Sequence, residues 1–478
     1  MRALMILTLL ATPLLGCAHS PALQHRELEI EPPDRWTMSA ESPAGDISDS
    51  WWHDFDDRQL NALVEIALEN NLDLIAAASR VDQALAQAVI AGADLKPAIG
   101  AGLNGNRSKQ NFVGLPIPGS SGGVLSTTST RYQMSLDVSW EIDLWGRLRA
   151  GSRAALADAE AVREEWQGAR LSLSGQVAKL WFSILEAQEQ LELAQLAATS
   201  FERSAALVRT RYERGLRPSI DLRLALSNQY GAEALVSLRE AQLENSVRQL
   251  ETLLGRYPSA KLLEEHPPQQ REIRLLAVPL GLPADLISRR PDMRSLERRL
   301  AASEQRQFAA RRARYPQISL TTSGGTVSDQ LEDLIDGDFS VWSLIGNIVA
   351  PVFQGGRIRA GITLSEAIGD ELLASYTGQA LRAYSEVETS LSNEERLRNR
   401  ETQLRKTAEQ LEGAQRLAES RYANGVGDYL TVLESQTRAL NARSEWIQLR
   451  RELRTNRVDL HLALGGRFPS TAEAKEVH

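Results

Sequence analysis

The sequence predicts a mainly α-helical protein with a transmembrane β part. The chain has 478 residues, of which 42% are hydrophobic and only 5% aromatic. This composition is typical of long helices that pack through alanine and leucine rather than around aromatic side chains. The proline-free run 146–212 has helical spacing, whereas Gln133–Leu144 alternates apolar and polar residues as a strand does.

Composition and charge exclude several functional classes. Lysine and arginine number 54 against 62 aspartates and glutamates, which gives a net charge of −8. That balance disfavours a nucleic-acid partner, since phosphate binding needs a basic face. The six histidines are scattered and there is one cysteine. We therefore expect no disulfide framework, no metal site and no bound cofactor.

Motifs of catalysis are missing from the sequence. The pattern Gly100-x-Gly102-x-x-Gly105 matches a dinucleotide fingerprint, but it lies inside a predicted strand with no βαβ unit around it. The match to Gly-x-Ser-x-Gly at residues 119–123 lies in a loop rich in glycine, proline and serine, without the strand-to-helix turn that a nucleophile elbow needs, and no phosphate-binding loop occurs. We therefore do not expect an enzyme.

The amino terminus has the pattern of a secretory signal. A basic start is followed by an apolar run over residues 3–15, which is too short to span a bilayer. No other stretch approaches 18 consecutive apolar residues. The sequence therefore predicts no transmembrane helix.

The only cysteine follows this apolar run directly. The motif Leu-Leu-Gly-Cys at 14–17 resembles a bacterial lipobox, which implies a signal peptide over 1–16 and a lipid on Cys17. The next residue, Ala18, favours the outer membrane in bacterial sorting, and 17–56 is predicted as an extended lipidated segment. The alternative is an incidental cysteine behind an ordinary signal. Several acyl chains would anchor the protein permanently.

An internal duplication organises the rest of the chain. The motifs GRLRAG, Arg-Tyr-x-x-Gly and Leu-Gly begin at residues 146, 211 and 254, and they recur 210 positions later at 356 (as GRIRAG), 421 and 464. Repeated motifs at one spacing indicate repeated structure. We predict a first repeat over 57–255 and a second over 284–465. A linker over 256–283 joins them, and 466–478 is a tail.

Each repeat has the same predicted order of elements. A helix, over 57–95 or 284–314, leads to a β-hairpin, and a long helix over 146–212 or 357–422 follows. Each long helix would measure about 100 Å for its roughly 66 residues. The hairpins are placed at about 97–145 and 316–355, and the turns after the long helices at 213–217 and 423–427.

The extended regions have the alternation of membrane strands. In Gln133–Leu144 one face is apolar and the other polar. Companion strands are predicted at Ala98–Ser108, Gln317–Val327 and Phe339–Phe353, with loops at 110–129 and 328–338. The alternative is a soluble hairpin pair that caps a helical bundle.

Four strands per chain cannot close a barrel, because small barrels need about eight. Open strand edges in lipid cost several kcal/mol for each unpaired backbone group. The physical argument therefore requires at least two copies of the chain, and it does not fix the number.

Motifs in order along the chain resemble a known family. Residues 51–60, WWHDFDDRQL, resemble the start of the family domain, although Arg58 stands where proline is usual. Residues 282–292, LPADLISRRPD, and the two Arg-Tyr-x-x-Gly turns complete the match. The chain resembles TolC-type outer membrane efflux channels, in particular the OprM/NodT-like lipoprotein branch.

This resemblance implies the assembly and its partners. Family members are homotrimers in which twelve strands form one barrel in the outer membrane lipid and the long helices form a second, α-helical barrel through the periplasm. The helical tips meet a periplasmic adaptor (membrane fusion) protein, which joins the channel to an inner-membrane pump, commonly of the resistance–nodulation–division class. The implied function is a passive conduit that exports drugs or other toxic compounds.

The resemblance also names candidate site residues at the two turns. Adaptor contact or bracing of the turns is implied for Arg211, Tyr212, Gly215, Arg421, Tyr422 and Gly425. Cations near a helix carboxyl end are also favourable without any partner, which is the alternative for the arginines. The glycines would end the long helices in the left-handed conformation.

Family members place acidic residues at the closed periplasmic aperture. The matching positions here are Thr431 and Glu434, so the first of the usual acids is absent, and Asp428 lies nearby as a substitute. A ring of three Glu434 side chains would favour cations. The alternative is a solvated carboxylate on a helix face. From another class of protein, the rival function is a lipid-anchored periplasmic coiled-coil adaptor or structural protein.

Overall fold

The computed structural model describes residues 36–37, 50–112, 125–268 and 283–466. Within them the chain forms two compact units. One combines Asp82–Ala161 with Glu297–Ala374 and contains the β-sheet. The other is helical and contains the described parts of Leu28–Val81, Val162–Leu296 and Ser375–His478.

The helices repeat along the chain. The first repeat contains α1 (Arg58–Asn70), α2 (Leu72–Ala93), α3 (Arg147–Glu213), α4 (Ser219–Leu253) and the single turn α5 (Leu262–Glu265). The second contains α6 (Pro283–Arg289), α7 (Pro291–Arg312), α8 (Arg357–Ala423) and α9 (Tyr429–Ala463). Helices α3 and α8 have 67 residues each, and α4 and α9 have 35 each. The long helices lie where the spacing predicts them.

The prediction of one continuous helix over 57–95 is wrong, because Asn71 interrupts it. Asn71 has extended backbone angles, with φ −65° and ψ 124°. Its side-chain oxygen accepts a hydrogen bond from the Leu74 amide at 2.9 Å and so begins α2. Its side-chain nitrogen donates to the carbonyl of Leu253, the last residue of α4, at 2.9 Å. The break thus joins α2 to the end of α4.

The prediction of one continuous helix over 284–314 is wrong for a related reason. Pro291 has no backbone N–H and disfavours helical angles at Arg290. The Arg290 guanidinium donates to the carbonyl of Ala463, the last residue of α9, at 2.9 Å. We call the contacts at Asn71 and Arg290 the first and second joints.

The sheet is a four-stranded antiparallel meander in the order β1-β2-β3-β4. The strands are β1 (Ala98–Phe112), β2 (Leu125–Glu141), β3 (Gln317–Ser328) and β4 (Ser340–Val349). Strands β1 and β2 extend into the region predicted as a loop over 110–129, because their hydroxyl-rich ends also pair across the hairpin. Strand β2 ends at Glu141 rather than at residue 144, and β4 is shorter than predicted.

The register separates an apolar face of the sheet from a polar face. Val138 pairs with Ile99 and Thr322, and Leu136 pairs with Ala101 and Gly324. Asp137, on the other face, pairs with Gly100 and Ser323. Within the described sheet, β1 and β4 each have one unpaired edge.

One described helix qualifies as a membrane span by length and composition alone. Helix α2 has a mean hydropathy of 1.2 over its best 18-residue window, which is 6% buried. Arg80 and Asp82 lie in the middle of this helix, and charges at mid-membrane are costly. The β-strands are the better candidates for the membrane part.

Aromatic side chains attach the segment before α1 to the helical unit. Trp51 and Phe55 are buried in the main core, where Phe55 lies 5.0 Å from the ring of Phe182. Trp36 is buried in a second cluster beside Tyr384. These large apolar surfaces fix the start of the described chain at two points.

Candidate functional site: the two helical turns

Each long helix ends in the same hydrogen-bonded turn. The Gly215 amide donates to the Tyr212 carbonyl and the Leu216 amide donates to the Arg211 carbonyl, both at 2.8 Å. Gly425 and Val426 repeat these bonds at 3.0 and 3.1 Å in the second turn. The φ angles of the two glycines are +70° and +82°. This is the Schellman motif, which favours glycine at the left-handed position.

Two arginines of the first turn hold the second turn. Arg211 donates from Nη2 to the Ala423 carbonyl at 2.9 Å, and its guanidinium lies 4.4 Å from the centre of the Tyr422 ring. Arg217 donates to the Gly427 carbonyl at 3.0 Å. Both arginines thus satisfy backbone carbonyls where a helix has just ended. The two turns form one cross-linked tip.

A small core lies directly behind the turns. Tyr422 is 2% exposed and Tyr429 is 1% exposed, and their rings are 5.7 Å apart. They pack with Ala205, Val208, Ala225 and Val432. Burial, with smaller contributions from Tyr422 and Asp221, raises the pKa of Tyr429 to about 12. Tyr429 is therefore a neutral packing residue at physiological pH.

The remaining tip residues face solvent. Tyr212 is 42% exposed, and Arg421 is also exposed. Four large apolar side chains are exposed in matching pairs around the turns: Leu216, Ile220, Val426 and Leu430. The predicted tip residues therefore separate into two groups. Arg211, Tyr422 and the two glycines stabilise the structure of the tip, whereas the side chains of Tyr212 and Arg421 are exposed to solvent.

The predicted aperture residues lie along the start of α9. Asp428 precedes the first residue of α9, is mostly exposed, and lies 3.9 Å from Nη1 of Arg217. Thr431 is exposed. The Glu434 carboxylate accepts a hydrogen bond from Arg438 at 2.6 Å, and both side chains are exposed. The nearest cation thus compensates the Glu434 charge within the same helix.

Sequence reasoning missed a buried polar residue near the tip. Gln436 is 1% exposed, and its Nε2 lies 3.2 Å from the hydroxyls of Ser200 and Ser204 and 2.9 Å from Glu419. An amide NH₂ has two hydrogens for these three acceptors. Reasoning also missed Arg217 and Tyr429. Comparison of the repeats gives the signal for Gln436, because the matching residue is Leu226.

Two further candidate features need placing. Cys17 and the predicted signal peptide over 1–16 lie outside the described residues. Across residues 50–112, 125–268 and 283–466, no group of three or more His, Cys, Asp or Glu side chains is arranged to hold a metal ion.

A four-stranded sheet whose two hairpins are each followed in the chain by a helix of 67 residues is the element order of a class of membrane channel. The chain belongs to the outer membrane efflux protein family, whose model matches residues 63–256 and 282–466. It is thus the outer membrane channel of an efflux system and not an enzyme. The recognised family and the predicted fold class are confirmed, and the rival function as a periplasmic adaptor is not supported.

Relatives and solved structures agree with this assignment. The chain is 33% identical to the outer membrane protein OprJ of Pseudomonas aeruginosa over 96% of this chain and 94% of OprJ. It is 33% identical to the pyoverdine export outer membrane protein OpmQ of Pseudomonas putida over 91% of this chain and 92% of that protein. The Campylobacter jejuni CmeC outer membrane channel is 25% identical with a TM-score of 0.87, covering 96% of this chain and 98% of CmeC.

Proposed function

We propose that three copies of this chain form the outer membrane conduit of a tripartite efflux system. The observation that carries the proposal is the four-stranded sheet with two unpaired edges, in which β1 and β3 each follow a helix and β2 and β4 each lead into a long helix. Twelve strands from three copies close a barrel and leave no edge in lipid. The interior of a barrel of this strand number is wide enough for solutes.

The repeat predicts how neighbouring copies pair. Tyr132 of β2 pairs with Ser328 of β3 within one copy. Trp342 lies 210 positions after Tyr132, as Gly356 does after Gly146, and Lys109 lies 219 positions before Ser328, as Pro97 does before Pro316. These two offsets place Trp342 of β4 opposite Lys109 of the partner subunit, and Ser343 opposite Ser108 of the partner subunit. This register keeps the apolar faces of all strands on one side, as a barrel requires.

A disulfide tests this register. We expect Ser108→Cys with Ser343→Cys, in a Cys17→Ala background, to give a covalent trimer on a denaturing gel under oxidation. The matched control Asn104→Cys with Ser343→Cys keeps the same face and shifts the register by four residues, too far for a disulfide. Equal cross-linking of both pairs, or of the control alone, would contradict the proposed pairing.

The tip is the proposed contact for a periplasmic adaptor, which joins the channel to an inner-membrane pump of the resistance–nodulation–division class. Leu216, Ile220, Val426 and Leu430 form an exposed apolar surface that such a partner would cover. Cysteines at Leu216 and Val426 avoid the strain of replacing Gly215 and Gly425 at positive φ. Cross-linking from these cysteines in cells, read by mass spectrometry, should recover an adaptor protein, whereas a cysteine at exposed Leu156 should not.

The second proposed attachment is a lipid on Cys17, the only cysteine of the chain. The support is the lipobox-like motif at 14–17. Mass spectrometry of the mature amino-terminal peptide should show acyl chains on Cys17, with cleavage after Gly16. An unmodified thiol at this position would contradict the anchor.

Glu434 is the proposed lining of the periplasmic aperture, and Arg438 limits its effect. Because Arg438 binds the carboxylate, we expect Glu434→Gln to lower cation selectivity and Arg438→Gln to raise it by a similar amount. The double variant should return to the wild-type value. Reversal potentials in planar bilayers measure this. If neither single variant shifts the reversal potential, the aperture assignment fails.

A further inference from the structure

The apolar face of the first hairpin ends at a defined height. On this face of β2 the sequence runs from Trp140 through Val138, Leu136 and Met134 to Tyr132. From Trp140 to Tyr132 the strand rises about 26 Å at about 3.3 Å per residue, which covers about 20 Å of membrane depth when a strand is tilted by about 40°. Outer membrane barrels have an apolar band of about 25 Å between two aromatic girdles. Tyr132, which is followed on this face by Thr130 and Thr128, thus marks the outer border of the band.

Tyr132 is held flat on the strand next to it. It pairs with Gly105 of β1, and a Cβ atom at Gly105 would lie 3.2 Å from the Tyr132 ring. Glycine at this position therefore lets the ring cover the neighbouring strand. The border is a built feature of the hairpin.

Two cations follow on the same face, beyond the border. Arg107 pairs with Thr130 and Lys109 pairs with Thr128, two and four residues past Gly105 on β1. Both cations are exposed. This end of the hairpin is opposite to the end that enters α2 and α3, so in the outer membrane it lies at the external leaflet.

The part of the first hairpin that carries these cations contains no acidic residue that could neutralise them. The chain has no aspartate or glutamate between Asp94 and Asp137. The second hairpin is the reverse, since it has no lysine or arginine between Arg314 and Arg357 and carries five acids: Asp329, Glu332, Asp333, Asp336 and Asp338. Positive charge at this border is therefore specific to the first hairpin.

We propose that Arg107 and Lys109 bind the phosphate groups of the external-leaflet glycolipid, lipopolysaccharide, just above the Tyr132 girdle. Guanidinium and ammonium groups form strong charge-assisted hydrogen bonds with phosphate, and the threonine hydroxyls beside them add donors. The apolar band below holds the acyl chains of the same molecule. The inference rests on the proposed barrel, in which this face of the sheet contacts lipid.

Binding of lipopolysaccharide to the detergent-solubilised trimer tests the proposal. We expect the double variant Arg107→Gln/Lys109→Gln to bind it about tenfold more weakly or worse. The matched control is Arg131→Gln, which removes a cation at the same height on the opposite, inward face, since Arg131 pairs with Asn106. The control should bind as the wild type does. Lipopolysaccharide treated with phosphatase should bind the wild type as weakly as the intact lipid binds the double variant.

The readouts separate the possible failures. Heat-resistant trimers on a gel report the barrel, and loss of wild-type trimers would overturn the proposed function along with this inference. Intact trimers with unchanged lipid binding in the double variant, or an equal loss in Arg131→Gln, would overturn the lipid site alone. If Asp336→Asn/Asp338→Asn destabilises the trimer as much as the double variant does, the cations pair with a second copy of the chain, and the lipid site is again wrong.

Discussion

The two repeats have the same backbone path and different side-chain chemistry. Glycines end the long helices at φ +70° and +82°, and glycines after the following helices have φ +71° and +83°. Around these matching turns the side chains differ: Tyr212 is exposed where Tyr422 is buried, and Leu226 stands where Gln436 is buried. The backbone conformation at these turns is therefore common to both repeats, whereas stability and contacts depend on side chains that differ between matching positions.

The joints give the largest contrast. At the first joint a neutral amide, Asn71, reaches the end of α4. At the second a buried guanidinium, Arg290, reaches the end of α9 and also binds Asp292 at 2.9 Å and Glu386 at 2.6 Å. Burial alone would raise the pKa of Asp292, but its hydrogen bonds with Arg290 and the positive charge of Arg290 hold it below the usual value. The second joint is thus a charged network.

Alanine substitutions at the two joints should give the largest difference between the repeats in the loss of unfolding free energy. Breaking a fully buried ion pair costs about 3–5 kcal/mol, and Asp292 and Glu386 keep some contact with water, so we expect about 3 kcal/mol for Arg290→Ala. Asn71→Ala loses one cap and one hydrogen bond, about 1–2 kcal/mol. Thermal unfolding followed by circular dichroism measures both. Equal losses would show that charge adds nothing at the second joint.

A second contrast lies in the last turn of α4 and of α9. Glu251 is buried and accepts hydrogen bonds from the amides of Ala260 at 2.8 Å and Lys261 at 2.9 Å. The matching residue His461 is also buried, but neither ring nitrogen has a hydrogen-bond partner. Its ring stacks on Trp51 at 5.3 Å. One repeat thus buries a bonded carboxylate, and the other buries a neutral imidazole.

Lowering the pH should destabilise the second repeat through His461. Burial, with a smaller contribution from Arg457, lowers its pKa from 6.5 to about 3. Below pH 6.5 the unfolded chain binds a proton that the folded chain does not. The free energy of unfolding therefore falls by about 1.4 kcal/mol per pH unit, or about 2 kcal/mol at pH 5. His461→Phe keeps the stacked ring and should remove this slope.

Several neighbours of His461 also titrate, so the comparison is made between variants. Burial raises the pKa of Asp54, whose Oδ2 lies 3.7 Å from Nε2 of His461. Protonation of Asp54 therefore stabilises the folded protein as pH falls. Because Asp54 is present in both wild type and His461→Phe, its contribution is removed by taking the difference in their unfolding temperatures from pH 7 to pH 5. His266→Gln is the control, because His266 is only partly buried and bonds to Gln59. A parallel pH slope in wild type and His461→Phe would contradict the prediction.

Sequence patterns predicted what depends on periodicity and on glycine. The long helices, the strands and the positive φ of Gly215 and Gly425 follow from heptad spacing, alternation and the repeated motifs. The breaks at Asn71 and Arg290 were missed, because each depends on a side chain that bonds to a helix end more than 170 residues away. The burial of Tyr422 beside an exposed Tyr212 was missed for the same reason. The two Arg-Tyr-x-x-Gly motifs predict the same turn conformation, but the burial of their side chains depends on residues that are distant in the sequence.

The smallest expected effect distinguishes the arginines of the two turns. Arg211 bonds to Ala423 and covers the Tyr422 ring, whereas the matching Arg421 is exposed. We expect Arg211→Ala to destabilise the tip by about 1 kcal/mol, which corresponds to roughly fivefold faster hydrogen exchange of the amides over 420–428. Arg421→Ala should leave exchange within about twofold of wild type, since surface changes cost little. In the tip cross-linking experiment, Arg421→Ala should lower the yield of adaptor cross-links more than Arg211→Ala does. The reason is that the exposed Arg421 side chain does not brace a turn and can contact an adaptor. Faster exchange in Arg421→Ala than in Arg211→Ala would show that the two turns do not divide structure and contact in this way.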